Sequence, residues 1–227
     1  MATLLLESFA SRDIPELCTG QHTISIASLV NDAYRGLDFL AASPDVDASK
    51  IAILGISFGG RTALWTSYRQ FEQEYGSNRS FAAHLALYPT GCYIELADEK
   101  PAGNVPIRIF HGLADDWLPA DQCEGYVDRL QARGHDIDLF VYDNAHHGFD
   151  DVTLAAYGKM HLPLALSPRN CQFEERDGRV VDVETGELAT VATKCVERGV
   201  TIAFDREARA NAVHDMLAFL ESALNSS

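Results

Sequence analysis

Short apolar runs recur along the chain and predict the strands of a buried sheet. The runs are rich in Ile, Leu, Val and Phe and are bracketed by turn-forming residues, as expected for parallel strands that are covered on both faces. The predicted strands are residues 3–7, 50–56, 81–88, 105–110 and 137–142.

Helical periodicity separates most of these runs. It is clearest over residues 25–42, where apolar residues recur at three- and four-residue spacing and Ser43-Pro44 ends the pattern. Further helices are predicted after the glycines at 59–60, over 120–133 with Gly134 beyond the end, and over 206–224 with Asp205 as N-cap.

This alternation of strands and helices predicts an α/β fold, in which helices cover both faces of a mostly parallel sheet. Residues 150–204 interrupt the alternation. Within them, Arg176-Asp177-Gly178-Arg179 lies between two apolar segments and is a hairpin signal. We therefore expect a single domain over residues 1–227, with a hairpin-containing insertion at 150–204 before the last helix.

The strand at 50–56 leads into a G-x-S-x-G pattern, Gly55-Ile56-Ser57-Phe58-Gly59, which is followed by Gly60 and a helix. Such a sharp strand-to-helix turn strains the serine backbone and leaves no room for side chains two residues to either side. The Phe58 N–H, at the helix N-terminus, is suited to stabilise an oxyanion. The pentapeptide alone is equally compatible with a tight turn that has no catalytic role, so its meaning depends on partner residues.

A candidate acid follows the strand at 105–110. Asp115 stands in the G-x-x-D-x-x-x-P frame that runs from Gly112 to Pro119. A loop aspartate is more often a turn former or a helix cap, and that role is open to Asp116 and Asp121. The frame favours Asp115 as the acid.

Two candidate bases, His146 and His147, follow the strand at 137–142. A triad needs an imidazole to take the serine proton and a carboxylate to orient that imidazole. Adjacent histidines also occur in metal sites, but the chain has no H-E-x-x-H motif, so no metal is predicted. The chain order of Ser57, Asp115 and the histidines is that of α/β-hydrolases.

The segments around these residues resemble the dienelactone hydrolase family. They read GISFGGRTALWTS, AAHLALYP, RIFHGLADDWLPADQC and YDNAHHGF, and the resemblance covers about residues 3–150 and the last helix. It implies Ser57 as nucleophile, Asp115 as acid and His147 as base, with His146 only a neighbour. Dienelactone hydrolases proper use a cysteine nucleophile, so the chain resembles the serine members of the family.

The resemblance also implies that part of the family's fold is missing. Residues 3–7 resemble the family's fourth strand, so three earlier strands and the loop that supplies the second oxyanion donor are expected to be absent. The strand at 50–56 would then have an unpaired edge or a new neighbour. We therefore expect an N-terminally truncated chain.

The charge balance narrows the possible ligands. The chain has 18 Lys and Arg against 33 Asp and Glu, a net charge of -15, which disfavours nucleic acids and anionic membranes. Its first residues contain neither a signal peptide nor a membrane span. We expect a soluble chain, cytoplasmic as given, with export open if an N-terminal segment is missing.

The five cysteines include no close pair of the C-x-x-C type, so they predict no zinc site. Cys171 and Cys195 bracket the predicted hairpin. A disulfide between them and two reduced thiols are equally open alternatives.

Together these observations predict a hydrolase of carboxylic esters or lactones that uses Ser57, Asp115, His147 and the Phe58 N–H and needs no cofactor. The expected partner is a small-molecule ester or lactone; the oligomeric state stays open. Dienelactone carries a carboxylate, so its enzyme needs placed arginines, but no arginine of this sequence matches such a position. Arg61 lies beside the serine turn, where a capping role or a surface ion pair is equally open. The alternatives are a serine peptidase of prolyl oligopeptidase type and a truncated, inactive hydrolase fold.

Overall fold

Strands and helices alternate along most of the chain, as predicted. The computed structural model describes residues 2–18 and 23–225. Within these ranges the helices are α1 (Ile26–Ala41), α2 (Phe58–Trp65), α3 (Arg69–Tyr75), α4 (Ala120–Ala132) and α5 (Arg206–Asn225). The strands are β1 (Ala52–Ile56), β2 (Ala83–Leu87), β3 (Ile94–Glu95), β4 (Ile107–Gly112), β5 (Ile137–Tyr142), β6 (Met160–Ser167), β7 (Phe173–Arg176), β8 (Arg179–Asp182) and β9 (Glu197–Ile202).

The main sheet contains β1, β2, β4 and β5 in that order, and all its neighbours are parallel. These strands confirm the predictions at 50–56, 81–88, 105–110 and 137–142, with small shifts at the ends. Because the strands are parallel, their carboxyl ends lie at one edge of the sheet. The loops after β1, β4 and β5, which carry the predicted site residues, therefore start from the same edge.

Different helices cover the two faces of this sheet. One apolar core contains Leu37 of α1, Leu64 of α2 and Leu130 of α4. The core on the other face contains Ala208 and Ala212 of α5. The predicted α/β architecture, with helices on both faces, is confirmed.

The helix ends follow the expected local chemistry, with one exception. The Asp205 carboxylate accepts the Ala208 N–H at 2.9 Å, which makes it the predicted cap of α5. Gly134, just beyond α4, has a φ of +89°. The exception is α2, which begins at Phe58, before the glycines, and is followed by the separate helix α3.

The prediction of a strand at residues 3–7 is wrong. These residues form no strand, and Leu5 is 90% exposed. They lie instead beside β1 and α1, where Leu4, Leu5 and Leu6 border an apolar groove of about 230 Å³. Of these leucines, Leu6 lies against α1, since a Cβ at Gly36 would lie 3.7 Å from the Leu6 Cδ1. In the described part of the chain, β1 pairs only with β2, and its residues Leu54 and Ile56 are 48% and 45% exposed.

The segment 150–204 contains more strand than the sequence predicts. The expected hairpin is present as β7 and β8, whose turn residues Asp177 and Gly178 have φ values of 50° and 73°. The strands β6 and β9 form a further antiparallel pair. The alternation of apolar and polar residues expected of strands is obscured here. Pro163 lies within β6, and the pairing with β9 shifts register between Leu162 and Leu166.

Two disulfides link segments that lie far apart in the sequence. Cys171–Cys195, one of two alternatives left open by the sequence, is present with a Cα separation of 5.1 Å. Cys92–Cys123, which the sequence did not reveal, joins the loop after β2 to α4. Cys18 is free. Among the described residues, no helix has the length and apolarity needed to span a bilayer.

We predict that replacing Cys171 and Cys195 together by serine lowers the free energy of unfolding by about 3 kcal/mol, because the bridge restricts the unfolded chain. Denaturant unfolding measures this change. The matched control is Cys18→Ser, which removes a thiol that forms no bridge and should change stability little. Finding all five cysteines reactive without a reductant would contradict the structure.

Candidate active site

Ser57 occupies a strained turn between β1 and α2. Its backbone has φ 53° and ψ -111°, a conformation that costs a non-glycine residue about 1–3 kcal/mol. Neighbouring backbone hydrogen bonds hold the turn: the Ser57 N–H donates to Leu87 O at 2.9 Å, and Ser57 O accepts from the N–H groups of Arg61 and Thr90. The serine is thereby anchored to the loop after β2 as well as to its own helix.

The turn requires glycine at positions other than those expected. A Cβ at Gly55 would lie 1.9 Å from Gly59 O, and one at Gly60 would lie 2.9 Å from the Pro89 Cβ. A Cβ at Gly59 would meet nothing within 4 Å. The expectation that a side chain has no room two residues after the serine is therefore wrong for Gly59; the close approach falls at Gly60.

The structure brings Ser57, His147 and Asp115 into one hydrogen-bonded series. His147 Nε2 lies 3.0 Å from Ser57 Oγ, and His147 Nδ1 lies 2.9 Å from Asp115 Oδ2. Asp115 and His147 are both buried. This series has the geometry of a nucleophile, a base and an orienting acid.

The environment of Asp115 favours its ionised form. Burial alone would raise its pKa, but the neighbouring His147, together with His111 and the Leu118 N–H, holds the pKa of Asp115 below its ordinary value. Its second oxygen, Oδ1, accepts the Trp117 and Leu118 N–H groups, each at 2.9 Å. The buried Asp115 carboxylate thus contacts His147 through Oδ2, while its Oδ1 is already hydrogen-bonded to two backbone N–H groups.

Two aromatic rings that sequence reasoning missed pack against His147. The ring centroids of Tyr88 and Trp117 lie 4.5 and 4.7 Å from that of the imidazole. Each ring is anchored in turn: Tyr88 donates its hydroxyl to Asp150, and Trp117 donates its indole N–H to Leu166 O at 2.9 Å. Only proximity in sequence could have suggested them, since Trp117 follows Asp115 by two residues and Tyr88 directly follows β2.

The segment 150–204 also contributes to the site. The Ala203 N–H donates to His147 O at 3.2 Å, and His147 forms a parallel bridge with Ile202 at the end of β9. The Asp116 carboxylate accepts both the backbone N–H and the hydroxyl of Thr201. These contacts fasten the end of β9 to the loops that carry Asp115 and His147.

The neighbouring candidates occupy other positions. Asp116 is bound to Thr201, as described above, and not to the histidine. In the described structure, both ring nitrogens of His146 are buried without a hydrogen-bond partner, so His146 forms no hydrogen bond with Ser57 or Asp115.

Phe58 is the first residue of α2, so its N–H belongs to the helical turn whose donors have no intrahelical acceptor. Over residues 2–18 and 23–225, no group of three or more His, Cys, Asp or Glu side chains could hold a metal ion.

We predict that Gly55→Ala lowers the free energy of unfolding by about 3 kcal/mol or more, since the new methyl group would collide with backbone. The matched substitution Gly59→Ala should instead raise it by about 0.5–1 kcal/mol, because alanine favours a helix and has open space there. Urea unfolding of both variants is the measurement. Equal destabilisation by the two alanines would contradict the geometry of the turn.

Comparison with known proteins agrees with this fold. A dienelactone hydrolase-like promiscuous phosphotriesterase from metagenomic libraries superposes with a TM-score of 0.55 at 18% identity, over 94% of this chain and 66% of its own. For a putative dienelactone hydrolase from Klebsiella pneumoniae the TM-score is 0.50 at 18% identity, over 86% of this chain and 61% of its own. At such identities the likeness concerns the fold.

Comparison of sequences shows to which family the chain belongs. Dipeptidyl peptidase family member 1 of Caenorhabditis elegans is 28% identical over 134 residues, which cover 51% of this chain but only 16% of that protein. The chain thus spans a small part of this curated relative. The model of the dienelactone hydrolase family matches residues 7–160, more than half of the sequence and including Ser57, Asp115 and His147. The chain therefore belongs to the dienelactone hydrolase family.

Proposed function

We propose that this chain hydrolyses carboxylic esters or lactones with Ser57 as nucleophile, His147 as general base and Asp115 as orienting acid. Membership of a hydrolase family supports hydrolysis as the reaction. The observation that carries the assignment is the continuous series from Ser57 Oγ to His147 Nε2 and from His147 Nδ1 to Asp115 Oδ2, with separations of 3.0 and 2.9 Å.

In the proposed mechanism, Ser57 Oγ attacks the ester carbonyl carbon while His147 Nε2 accepts the hydroxyl proton. The Asp115 carboxylate stabilises the imidazolium that forms. The Phe58 N–H donates to the oxyanion of the tetrahedral intermediate. His147 then returns the proton to the departing alkoxide, which leaves an acyl group on Ser57.

Water completes the reaction in a second step of the same kind. His147 takes a proton from the water as its oxygen attacks the acyl carbon, and Ser57 leaves with that proton. The products are a carboxylic acid and an alcohol, or a hydroxy acid from a lactone. Side chains and water account for every proton and electron pair.

A serine peptidase is the second candidate. It is favoured by the 28% identity to a dipeptidyl peptidase over 134 residues, and the same three residues would attack an amide. A dipeptidyl nitroanilide and a nitrophenyl ester, compared on one preparation, separate the two activities. An inactive hydrolase fold, the third alternative, would leave Ser57 unlabelled by a fluorophosphonate.

The disulfides bear on where the protein acts. Cys92–Cys123 and Cys171–Cys195 are bridges of a kind that persists in oxidising compartments and is rare in the cytosol. We therefore favour an exported or otherwise oxidising location over the cytoplasmic location first expected.

We predict that Ser57→Ala lowers kcat on a nitrophenyl ester by about 10⁶-fold, because it removes the nucleophile. Asp115→Asn should lower kcat by about 10⁴-fold, since an amide holds the wrong tautomer of His147. The control is Asp116→Asn, in which the amide can still pair with Thr201 and which should retain most activity. Equal losses at positions 115 and 116 would exclude the assignment of the acid.

A further inference from the structure

Tyr88 has a strained backbone at the carboxyl edge of the main sheet. It directly follows β2 and has a φ of 32°, which is uncommon for a bulky side chain. Its N–H donates to Phe110 O at 2.8 Å, so β4 helps to hold this conformation. Strained residues persist where their surroundings fix them, and they are frequent at functional sites. The position of Tyr88 therefore points to a role for its side chain.

That side chain lies between His147 and a carboxylate outside the series of Ser57, His147 and Asp115. The centroid of the Tyr88 ring is 4.5 Å from that of the imidazole, with 59° between the ring planes. The Tyr88 hydroxyl donates to Asp150 Oδ1. Tyr88 is buried, and Asp150 is half-buried. One aromatic ring thus separates a second carboxylate from the imidazole.

The negative charge of this pair lies on Asp150. Burial, together with the neighbouring Asp150, raises the pKa of Tyr88 far above its ordinary value, so the phenol keeps its proton at neutral pH. A phenol that donates to a carboxylate is polarised by that hydrogen bond, and its ring becomes richer in electrons. The ring beside His147 is therefore more negative than that of a tyrosine without such a partner.

The proposed reaction places a positive charge on His147 each time the imidazole takes a proton. His147 is only 6% exposed, so little water is available to stabilise this charge. Asp115 contacts Nδ1, while the rings of Tyr88 and Trp117 pack against the imidazole, with centroid separations of 4.5 and 4.7 Å. An aromatic ring attracts a cation that lies within about 6 Å of its centroid.

We propose that Tyr88 and Asp150 together stabilise the protonated form of His147, in addition to Asp115. Tyr88 is thus a positioning residue, since it acts on the substrate only through the imidazole. This inference rests on the proposed function, because it concerns the proton that His147 holds during hydrolysis.

Other ionisable groups near His147 are already engaged or neutral. Burial lowers the pKa of His111, at the end of β4, so this residue is uncharged at neutral pH. The Asp151 carboxylate accepts the N–H and the hydroxyl of Thr153. The Asp116 carboxylate is bound to Thr201, as described above. Besides Asp115, Asp150 is therefore the carboxylate whose charge reaches His147, through the Tyr88 ring.

Four variants separate the ring from the charge. Tyr88→Leu removes the ring, whereas Tyr88→Phe keeps it and removes only the hydroxyl. Asp150→Asn keeps an acceptor for the Tyr88 hydroxyl but removes the negative charge. The matched control is Asp215→Asn, which removes the same charge from a similar pair: Tyr142 donates to Asp215 at 2.9 Å, but the Tyr142 ring packs on Phe149.

The decisive readout is the pH at which His147 is half protonated, measured by NMR on chain with carbon-13 in its histidines. The His147 signal is identified by its absence from His147→Gln. In Tyr88→Leu this pH should fall by about one unit, because a contact that favours the cation is lost. Asp150→Asn should lower it by about half a unit, and Asp215→Asn should leave it unchanged.

Hydrolysis of para-nitrophenyl acetate supplies the second readout. Tyr88→Leu should lower kcat about 10- to 30-fold with KM unchanged, since the side chain does not touch the substrate. Tyr88→Phe, which keeps the ring, should retain most of the activity. A ring that only fills space would give a different result, because water that enters the gap in Tyr88→Leu would itself stabilise the imidazolium.

An unchanged or higher pH of half protonation in Tyr88→Leu therefore overturns the inference. So does an equal fall in Asp150→Asn and Asp215→Asn. If Tyr88→Leu does not fold, the comparison of these two asparagine variants decides. If the wild type does not hydrolyse the ester, the proposed function fails, and the NMR titrations alone decide whether Tyr88 and Asp150 stabilise the protonated imidazole.

Discussion

The chain leaves β1 and enters α2 through a strained conformation of Ser57 with positive φ, and the geometry of the site depends on it. The turn is held by the bond from the Ser57 N–H to Leu87 O and by the two N–H groups that converge on Ser57 O. It also requires Gly55, because any side chain there would collide with Gly59 O. The strain is thus balanced by contacts that also fix the serine against the neighbouring strand.

Asp115 and His147 lie at this turn because the loops that carry them are hydrogen-bonded to each other. The Ala114 N–H donates to Ala145 O, and the Leu113 N–H donates to Tyr142 O, each at 3.0 Å. Ala203, the residue after β9, adds a further hydrogen bond from its N–H to His147 O. Ser57, Asp115 and His147 are therefore each supported by backbone of the sheet edge or of segment 150–204, as the proposed preorganised site requires.

Much of this arrangement could be predicted because it depends on local patterns. The parallel strands follow from their apolar runs, and the serine, the acid and the histidine follow from frames directly after those strands. The prediction failed at residues 3–7, which border a groove beside β1 and α1 without pairing as a strand. It also missed β6, β9, Tyr88 and Trp117, since their contacts join residues far apart in sequence. Nor could a local pattern reveal that Arg61 forms no ion pair among the described residues, since that depends on which carboxylates lie near it.

The central claim is that Ser57 becomes acylated during hydrolysis, and trapping the intermediate tests it most directly. The chain is mixed with para-nitrophenyl acetate, quenched in acid within the pre-steady state, digested and analysed by peptide mass spectrometry. The account predicts the mass of one acetyl group on the peptide that contains Ser57, and the modification localised to that residue. Steady turnover with no acyl group on Ser57, or with the acyl group on another residue, would contradict it.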